Sequence, residues 1–194
     1  ADAIALLTAK RKPILVCGGG VKYSQAGQAL QRFAECFGLP WVETQAGKGT
    51  ISSEHELNLG GIGETGCLAA NTLAKQADLV IGVGTRYSDF TTSSKWLFQN
   101  PDVSFLNINV SAFDAGKLDG LQLLADAREA LSALHQQLST TGYQAGWGGE
   151  IARMRAEQFA ETQRVYQVQC RADDFIPEIN DHLDREQVFA EFIN

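Results

Sequence analysis

The run Leu79-Val80-Ile81-Gly82-Val83, bounded by Asp78 before it and Gly84 after it, constrains this chain more than any other stretch. Five apolar residues are too few for a helix of their own, and their unbroken apolar character suits a parallel strand covered on both faces. In front of the run, Ala70, Leu73, Ala74 and Ala77 fall at helical spacing, so a narrow apolar stripe can lie close to a sheet. Behind it, Gly84, Thr85 and Arg86 stand where an open parallel sheet binds its ligand, at the carboxyl end of a strand. Such a strand needs parallel neighbours joined by helical crossovers.

The remaining sequence supplies them. Residues 1–9 favour a helix, with Lys10, Arg11 and Lys12 at its carboxyl end. Pro13 restarts the chain as a strand that runs into Gly18, Gly19 and Gly20. Ser24 is a candidate cap for a helix whose Ala26, Leu30, Phe33, Ala34 and Phe37 make one stripe, ended by Gly38. Residues 40–43 read as a short strand leading into the glycine-rich 45–50, and residues 60–66 as another glycine-rich loop. After Asp89, residues 91–98 read as a loop and a short helix, with Trp96 and Phe98 as packing residues. Residues 105–110 alternate, with Asn107 and Asn109 on one side and Leu106 and Ile108 on the other. Residues 121–124 form one more strand, and Asp126 with Glu129 opens a helix through Leu131, Leu134 and Leu138.

This alternation predicts an α/β fold over residues 1–138, a doubly wound parallel sheet of the Rossmann-like, nucleotide-binding type. Residues 139–149 have a linker composition and 150–168 read as a charged bridging helix, so 139–183 is expected to be a C-terminal helical extension. Asp184 opens a further capped segment whose Val188, Phe189, Phe192 and Ile193 end in mid-stripe. With the opening in ADAIALL, this is what a piece cut from a longer chain, short of a partner domain, is expected to look like.

Charge and cysteine usage exclude several functions. The 16 basic and 23 acidic side chains give a net charge of −7, without a basic run, which argues against nucleic-acid and anionic-membrane partners. Cys17, Cys36, Cys67 and Cys170 form no C-x-x-C pair, so neither a zinc site nor a disulfide framework is indicated, and a cytoplasmic location is expected. His55, His135 and His182 lie in unrelated contexts and build no metal cluster or catalytic triad.

What is left is a set of glycine turns. Gly18, Gly19, Gly20, Gly63, Gly66 and Gly84, with Thr85 and Arg86, could converge at one sheet edge and offer backbone N–H groups to a pyrophosphate. Turns of α/β proteins also need glycine for their own geometry, and the first turn departs from G-x-G-x-x-G because Tyr23 takes the place of its last glycine. Glu43 ends the second strand at about the place of a ribose-binding acid in an NAD domain. Arg86 and Asp89 read as a surface ion pair ahead of a phosphate contact with a loop-orienting acid. Lys48 lacks the spacing of a phosphate loop. The residues alone indicate a nucleotide-binding-type domain without a catalytic group.

Five segments in order carry a resemblance: PILVCGGG (13–20), TQAGKGT (44–50), NLGGIGETG (58–66), ADLVIGVGTRYSDFTT (77–92) and FLNINVSAFDAGKL (105–118). Together they resemble the central domain of the thiamine-diphosphate-dependent decarboxylase and acetolactate-synthase family, and within it the branch of C–C hydrolases that opens a cyclic trihydroxy-dione in myo-inositol catabolism. The tail from Asp184 resembles the start of that family's diphosphate-binding domain. The resemblance implies a three-domain parent that assembles as an oligomer, with thiamine diphosphate and Mg held between the first and third domains. It implies C–C cleavage of the dione and hydrolysis to an open-chain deoxy-glucuronate acid, and a middle domain that is chiefly architectural and inactive alone. Some members bind FAD or ADP at the turns corresponding to Gly18–Gly20, 60–66 and 84–86. Here the usual I-D-I-D-P is replaced by Leu106-Asn107-Ile108-Asn109-Val110, which removes the carboxylates that would meet ribose or adenine. The family's activating glutamate and its G-D-G…N magnesium motif belong to the other domains; Asp119-Gly120 is not that motif, because Leu118 precedes it. Two further readings stand beside this one: the middle domain of an acetolactate-synthase-like 2-keto acid enzyme, and a stand-alone module for ADP, FAD or NAD.

Overall fold

The computed structural model describes residues 1–172, with the side chains of 166–172 left aside. The segment read from Asp184 onward as the start of a further domain lies outside the described residues. The chain divides into two units, Ala1–Arg155 and Ala156–Asn194. In the second, the described part is the continuation of helix α8 (Glu150–Ala172), where Glu161 and Arg164 pair side by side at 2.6 Å.

The first unit is one sheet of six parallel strands: β1 (Pro13–Cys17), β2 (Trp41–Glu43), β3 (Asn58–Gly61), β4 (Leu79–Val83), β5 (Ser104–Asn109) and β6 (Leu121–Leu124). Their order is β3-β2-β1-β4-β5-β6, so the winding direction reverses between β1 and β4. Pro13 pairs with Leu79 and Cys17 with Val83, which brings the glycine turns after both strands level with one another. Alternation divides each central strand between two cores. Leu15, Cys17, Leu79, Ile81 and Val83 face α1 (Asp2–Ala9), α3 (Gly27–Phe37) and α7 (Ala127–Leu138), whereas Ile14, Val16 and Val80 face α4 (Leu68–Gln76). Each fully buried Leu or Ile contributes about 1.5–3 kcal/mol. The edge strands β3 and β6 are four residues each, and β6 is only partly covered.

The helix stripes hold. Leu30, Phe33, Ala34 and Phe37 are buried and α3 ends on Gly38 at φ 67; Ala70, Leu73, Ala74 and Ala77 are fully buried. Asp126 accepts from the Arg128 and Glu129 amides and caps α7. Ser24 does not cap α3. It is the C-cap of the five-residue α2 (Gly19–Tyr23), and α3 starts behind Ala26 without a side-chain cap. Gly60 and Gly61, read as part of a loop, form β3 together with Asn58 and Leu59, because Trp41 and Glu43 supply a partner for a stretch with little strand propensity of its own. After β4, α5 (Asp89–Thr92) is followed by Ser93, Ser94 and Lys95, all at positive φ. The short helix α6 (Ala112–Ala115) precedes a 3-10 turn at Lys117–Asp119. Trp96 is exposed rather than packed, with the Lys75 ammonium 5.9 Å from its ring.

Residues 139–149, linker-like in composition, are fastened to the sheet unit. The Tyr143 hydroxyl donates to the Lys10 carbonyl (3.0 Å), the Ala145 amide to Phe37 (2.9 Å) and the Gly146 amide to Arg11 (2.6 Å), while Trp147 is buried against β1. Among the described residues no helix is long and apolar enough to cross a membrane.

Candidate functional site

The carboxyl edge of β1 and β4 gathers six of the eight candidate residues. Gly18 is the N-cap of α2, Gly19 and Gly20 are its first residues, and Gly84, Thr85 and Arg86 follow β4 directly. The two turns are pressed against each other. A Cβ on Gly18 would collide with the Gly84 carbonyl oxygen and stand 2.7 Å from the Thr85 Cα, and a Cβ on Gly20 would stand 2.6 Å from the Gly84 Cα. Gly84 itself sits at φ 59. Close passage of backbone past backbone therefore accounts for these glycines.

Three of the N–H groups that a pyrophosphate could use are engaged. Gly18 donates to the Val83 carbonyl (2.9 Å), Gly20 to Gly84 (3.0 Å) and Gly84 to Ile108 (2.9 Å). Thr85 is buried, its carbonyl accepting from the Asn109 amide at 3.0 Å. Arg86 is exposed, and its carbonyl accepts from Lys117 Nζ at 2.7 Å. Among the described residues its guanidinium makes no ion pair, so the surface pair with Asp89 does not form. The cavity beside Gly20, Gly84, Asn109 and Val110 is about 30 Å³, the size of a water molecule.

Gly63 and Gly66 stand apart from this crevice, on the turn between β3 and α4. Gly63, at φ 111, passes the Phe90 carbonyl, and Asn71 pins the turn by accepting from the Gly63 amide (3.1 Å) and donating to its carbonyl (2.9 Å). The Gly66 amide donates back to Gly63 at 2.9 Å.

The replaced I-D-I-D-P segment has a structural use. Asn107 is buried and donates to the carbonyls of Ala115 (2.8 Å) and Lys117 (2.9 Å), while Asn109 accepts from the Ser111 amide (3.0 Å). Carboxylates at these places could not donate. Both amides tie the end of β5 to its neighbours.

The end of β2 carries a second feature. Glu43 is 2% exposed and its Oε1 has no hydrogen-bond partner. Burial pushes its carboxyl above the ordinary glutamate range, opposed by the charge of Lys48 and by hydrogen bonding from Asn58 and the Gly49 backbone. It stands opposite Cys17 in the sheet register, and burial followed by the Glu43 charge pushes that thiol up to about 12. The signal was an acidic residue at the end of an otherwise apolar strand. Burial likewise raises the Tyr87 hydroxyl, which lies over Gly82 without a partner.

Over residues 1–134 the chain matches the model of the thiamine pyrophosphate enzyme, central domain. It is similar to the 3D-(3,5/4)-trihydroxycyclohexane-1,2-dione hydrolase of Bacillus cereus (strain AH820), at 52% identity over 184 residues, 95% of this chain and 29% of that relative. The hydrolase of the same name from Bacillus anthracis is 52% identical over 183 residues, 94% of this chain and 28% of the relative. That from Bacillus thuringiensis (strain Al Hakam) is 51% identical over 184 residues, 95% of this chain and 29% of the relative. The chain thus spans only 28–29% of the length of these relatives. With the parallel sheet wound from β1 and β4 outward and a family match across most of that sheet unit, this chain belongs to the thiamine pyrophosphate enzyme family, in the place of its central domain.

Proposed function

We propose that the chain is the structural middle domain of a longer thiamine-diphosphate-dependent hydrolase that opens a trihydroxycyclohexanedione by C–C cleavage in inositol breakdown. The observation that carries this reading is 52% identity over 95% of this chain to a hydrolase of that name, of which the match covers only 29%. The relatives' names favour the hydrolase over an acetolactate-synthase-like 2-keto acid enzyme. Thiamine diphosphate, when bound, supplies the carbon nucleophile and electron sink for C–C cleavage. The residues of this chain do not fit that cofactor. The sequence has no G-D-G…N segment, and among the described residues no three His, Cys, Asp or Glu side chains gather to hold a metal. Cofactor and Mg are therefore assigned to the parent's other domains, and the contribution of this domain is architectural.

In this reading the crevice of Gly18, Gly19, Gly20, Gly84, Thr85 and Arg86, with Gly63 and Gly66 on a separate turn, is a vestigial nucleotide site. The engaged Gly18, Gly20 and Gly84 amides and the water-sized cavity support that. Calorimetry with ADP, FAD and NAD is expected to show no heat from this crevice; saturable heat lost on Arg86→Ala would restore the binding module. The parent is a cytoplasmic homo-oligomer in this proposal, and Cys17, Cys36 and Cys67 are free thiols, as a reducing compartment requires. The decisive assay supplies the cyclic dione, thiamine diphosphate and Mg to the complete gene product and to residues 1–194 alone. Ring opening is expected from the complete product only. Turnover by the 194-residue chain, or decarboxylation of pyruvate in place of ring opening by the complete product, would overturn the proposal.

A further inference from the structure

Large apolar side chains left exposed by the sheet unit gather at the carboxyl edge of its strands: Tyr23 is 90% exposed, Phe113 80%, Val110 77% and Leu124 56%. Local structure keeps them together. Val110 follows β5, whose last residue, Asn109, stands opposite Leu124 at the end of β6. Phe113 comes next, on α6, with Lys117 Nζ 5.1 Å from its ring, and the same ammonium donates to the Arg86 carbonyl behind β4 (2.7 Å). Tyr23 ends α2, and its neighbour Ser24 walls the water-sized cavity together with Val110 and Ala125. Arg86 is an exposed cation on this rim, and among the described residues its guanidinium makes no ion pair.

Apolar side chains exposed singly need no partner, whereas a cluster of them marks a contact surface. A small molecule does not account for this one, because the cavity beneath it is about 30 Å³ and the Gly18, Gly20 and Gly84 amides are engaged. What fits is protein surface, and its size says from where. Two aromatic side chains at about 150–250 Å² each, with Val and Leu beside them, offer roughly 500 Å². That falls short of the about 800 Å² per partner of a stable complex between separate chains. It suits a domain tethered in the same polypeptide, since such interfaces bury about 600–1,500 Å² in total and the tether supplies a local concentration near millimolar. Relatives long enough to carry such a domain are on hand: 95% of this chain matches only 29% of the Bacillus cereus hydrolase. The unpaired Arg86 adds a condition, a carboxylate on the facing surface.

We infer that the carboxyl edge carrying Tyr23, Val110, Phe113 and Leu124 is the docking face for another domain of the same polypeptide, one that presents apolar side chains and a carboxylate toward Arg86. This rests on the proposed reading of the chain as one domain of a longer protein, but not on the reaction assigned to that protein. The test is photocrosslinking of the complete gene product carrying Phe113→p-benzoylphenylalanine, with denaturing gels and peptide mass spectrometry as the readout. Position 113 is expected to join a peptide outside residues 1–194 at the mass of a single chain, and adding Arg86→Glu is expected to lower the yield about tenfold. A product of doubled mass would assign the face to a second copy and overturn the inference. So would crosslinks confined to residues 1–194, no crosslink at all, or a yield that Arg86→Glu leaves unchanged. A gene product no longer than 194 residues would overturn the middle-domain reading itself, and this inference with it. Both substituted positions are exposed, and unchanged circular dichroism serves as the folding control.

Discussion

The Trp147 indole N–H donates to the Pro13 carbonyl at 2.7 Å, joining a residue from a glycine-rich, linker-like segment to the first residue of a central strand. The Lys12 ammonium lies 5.3 Å from the same ring and pairs with Glu150 at 2.7 Å, so indole, strand and the start of α8 form one latch. Trp147→Ala is expected to destabilise the chain by about 3–5 kcal/mol, the range for emptying a buried aromatic site. Trp147→Phe keeps most of the volume but leaves the carbonyl without its donor, and is expected to cost about 1–3 kcal/mol. Urea titration followed by circular dichroism measures both; equal stability of all three proteins would show that the latch contributes nothing.

Asn107→Asp turns a donor toward two carbonyls into a carboxylate facing them. A loss of about 3 kcal/mol or more is expected at neutral pH, partly recovered as acid protonates the new side chain. Asn109→Asp keeps the acceptor for Ser111 and loses only the bond to Thr85, so about 1 kcal/mol is expected. Thermal melts of the two variants at pH 7 and pH 5 rank them, and a milder effect at 107 than at 109 would contradict the geometry.

The raised carboxyl of Glu43 has a sign that can be read in the stability curve. Because the folded state holds this proton more tightly than the unfolded chain, stability attributable to Glu43 falls as pH rises through and above the ordinary glutamate range. Glu43→Gln removes that slope. The variant is expected to be more stable than the parent at pH 7 and to lose the advantage toward pH 4, as seen in the difference between their urea midpoints. A constant difference across this interval would mean that Glu43 is not the group responsible.

Two left-handed glycines separate steric need from backbone freedom. Gly84→Ala forces a Cβ to within 2.5 Å of the Gly20 Cα and is expected to cost about 3 kcal/mol or more. Gly49→Ala meets open space and is expected to cost only the left-handed penalty of about 1 kcal/mol. Parallel denaturation curves give both values, and similar losses would refute the close packing of the β1 and β4 turns.

Most of the fold was legible because the strands with the strongest apolar runs, β1 and β4, are also those buried on both sides, and because the stripes of α3 and α4 have clean helical spacing. The β3 strand was not legible, since Asn58-Leu59-Gly60-Gly61 acquires its conformation from β2 rather than from its own residues. The glycines at 18, 20 and 84 were visible, but their reason was not. A motif shows that a side chain is missing, and only coordinates show whether a ligand or another stretch of backbone fills the space. Glu43 was visible as an acid at a strand end, whereas its orphaned oxygen depends on the loop folded over it.

The shortness of β3 and β6 bears on how the sheet unit avoids association. Each edge strand is only four residues long, and β3 carries two glycines and is half buried, so a second sheet arriving side-on finds little to template against. Partly folded chains associate through unpaired strand edges, and short rims are a means of resisting that association while the sheet forms.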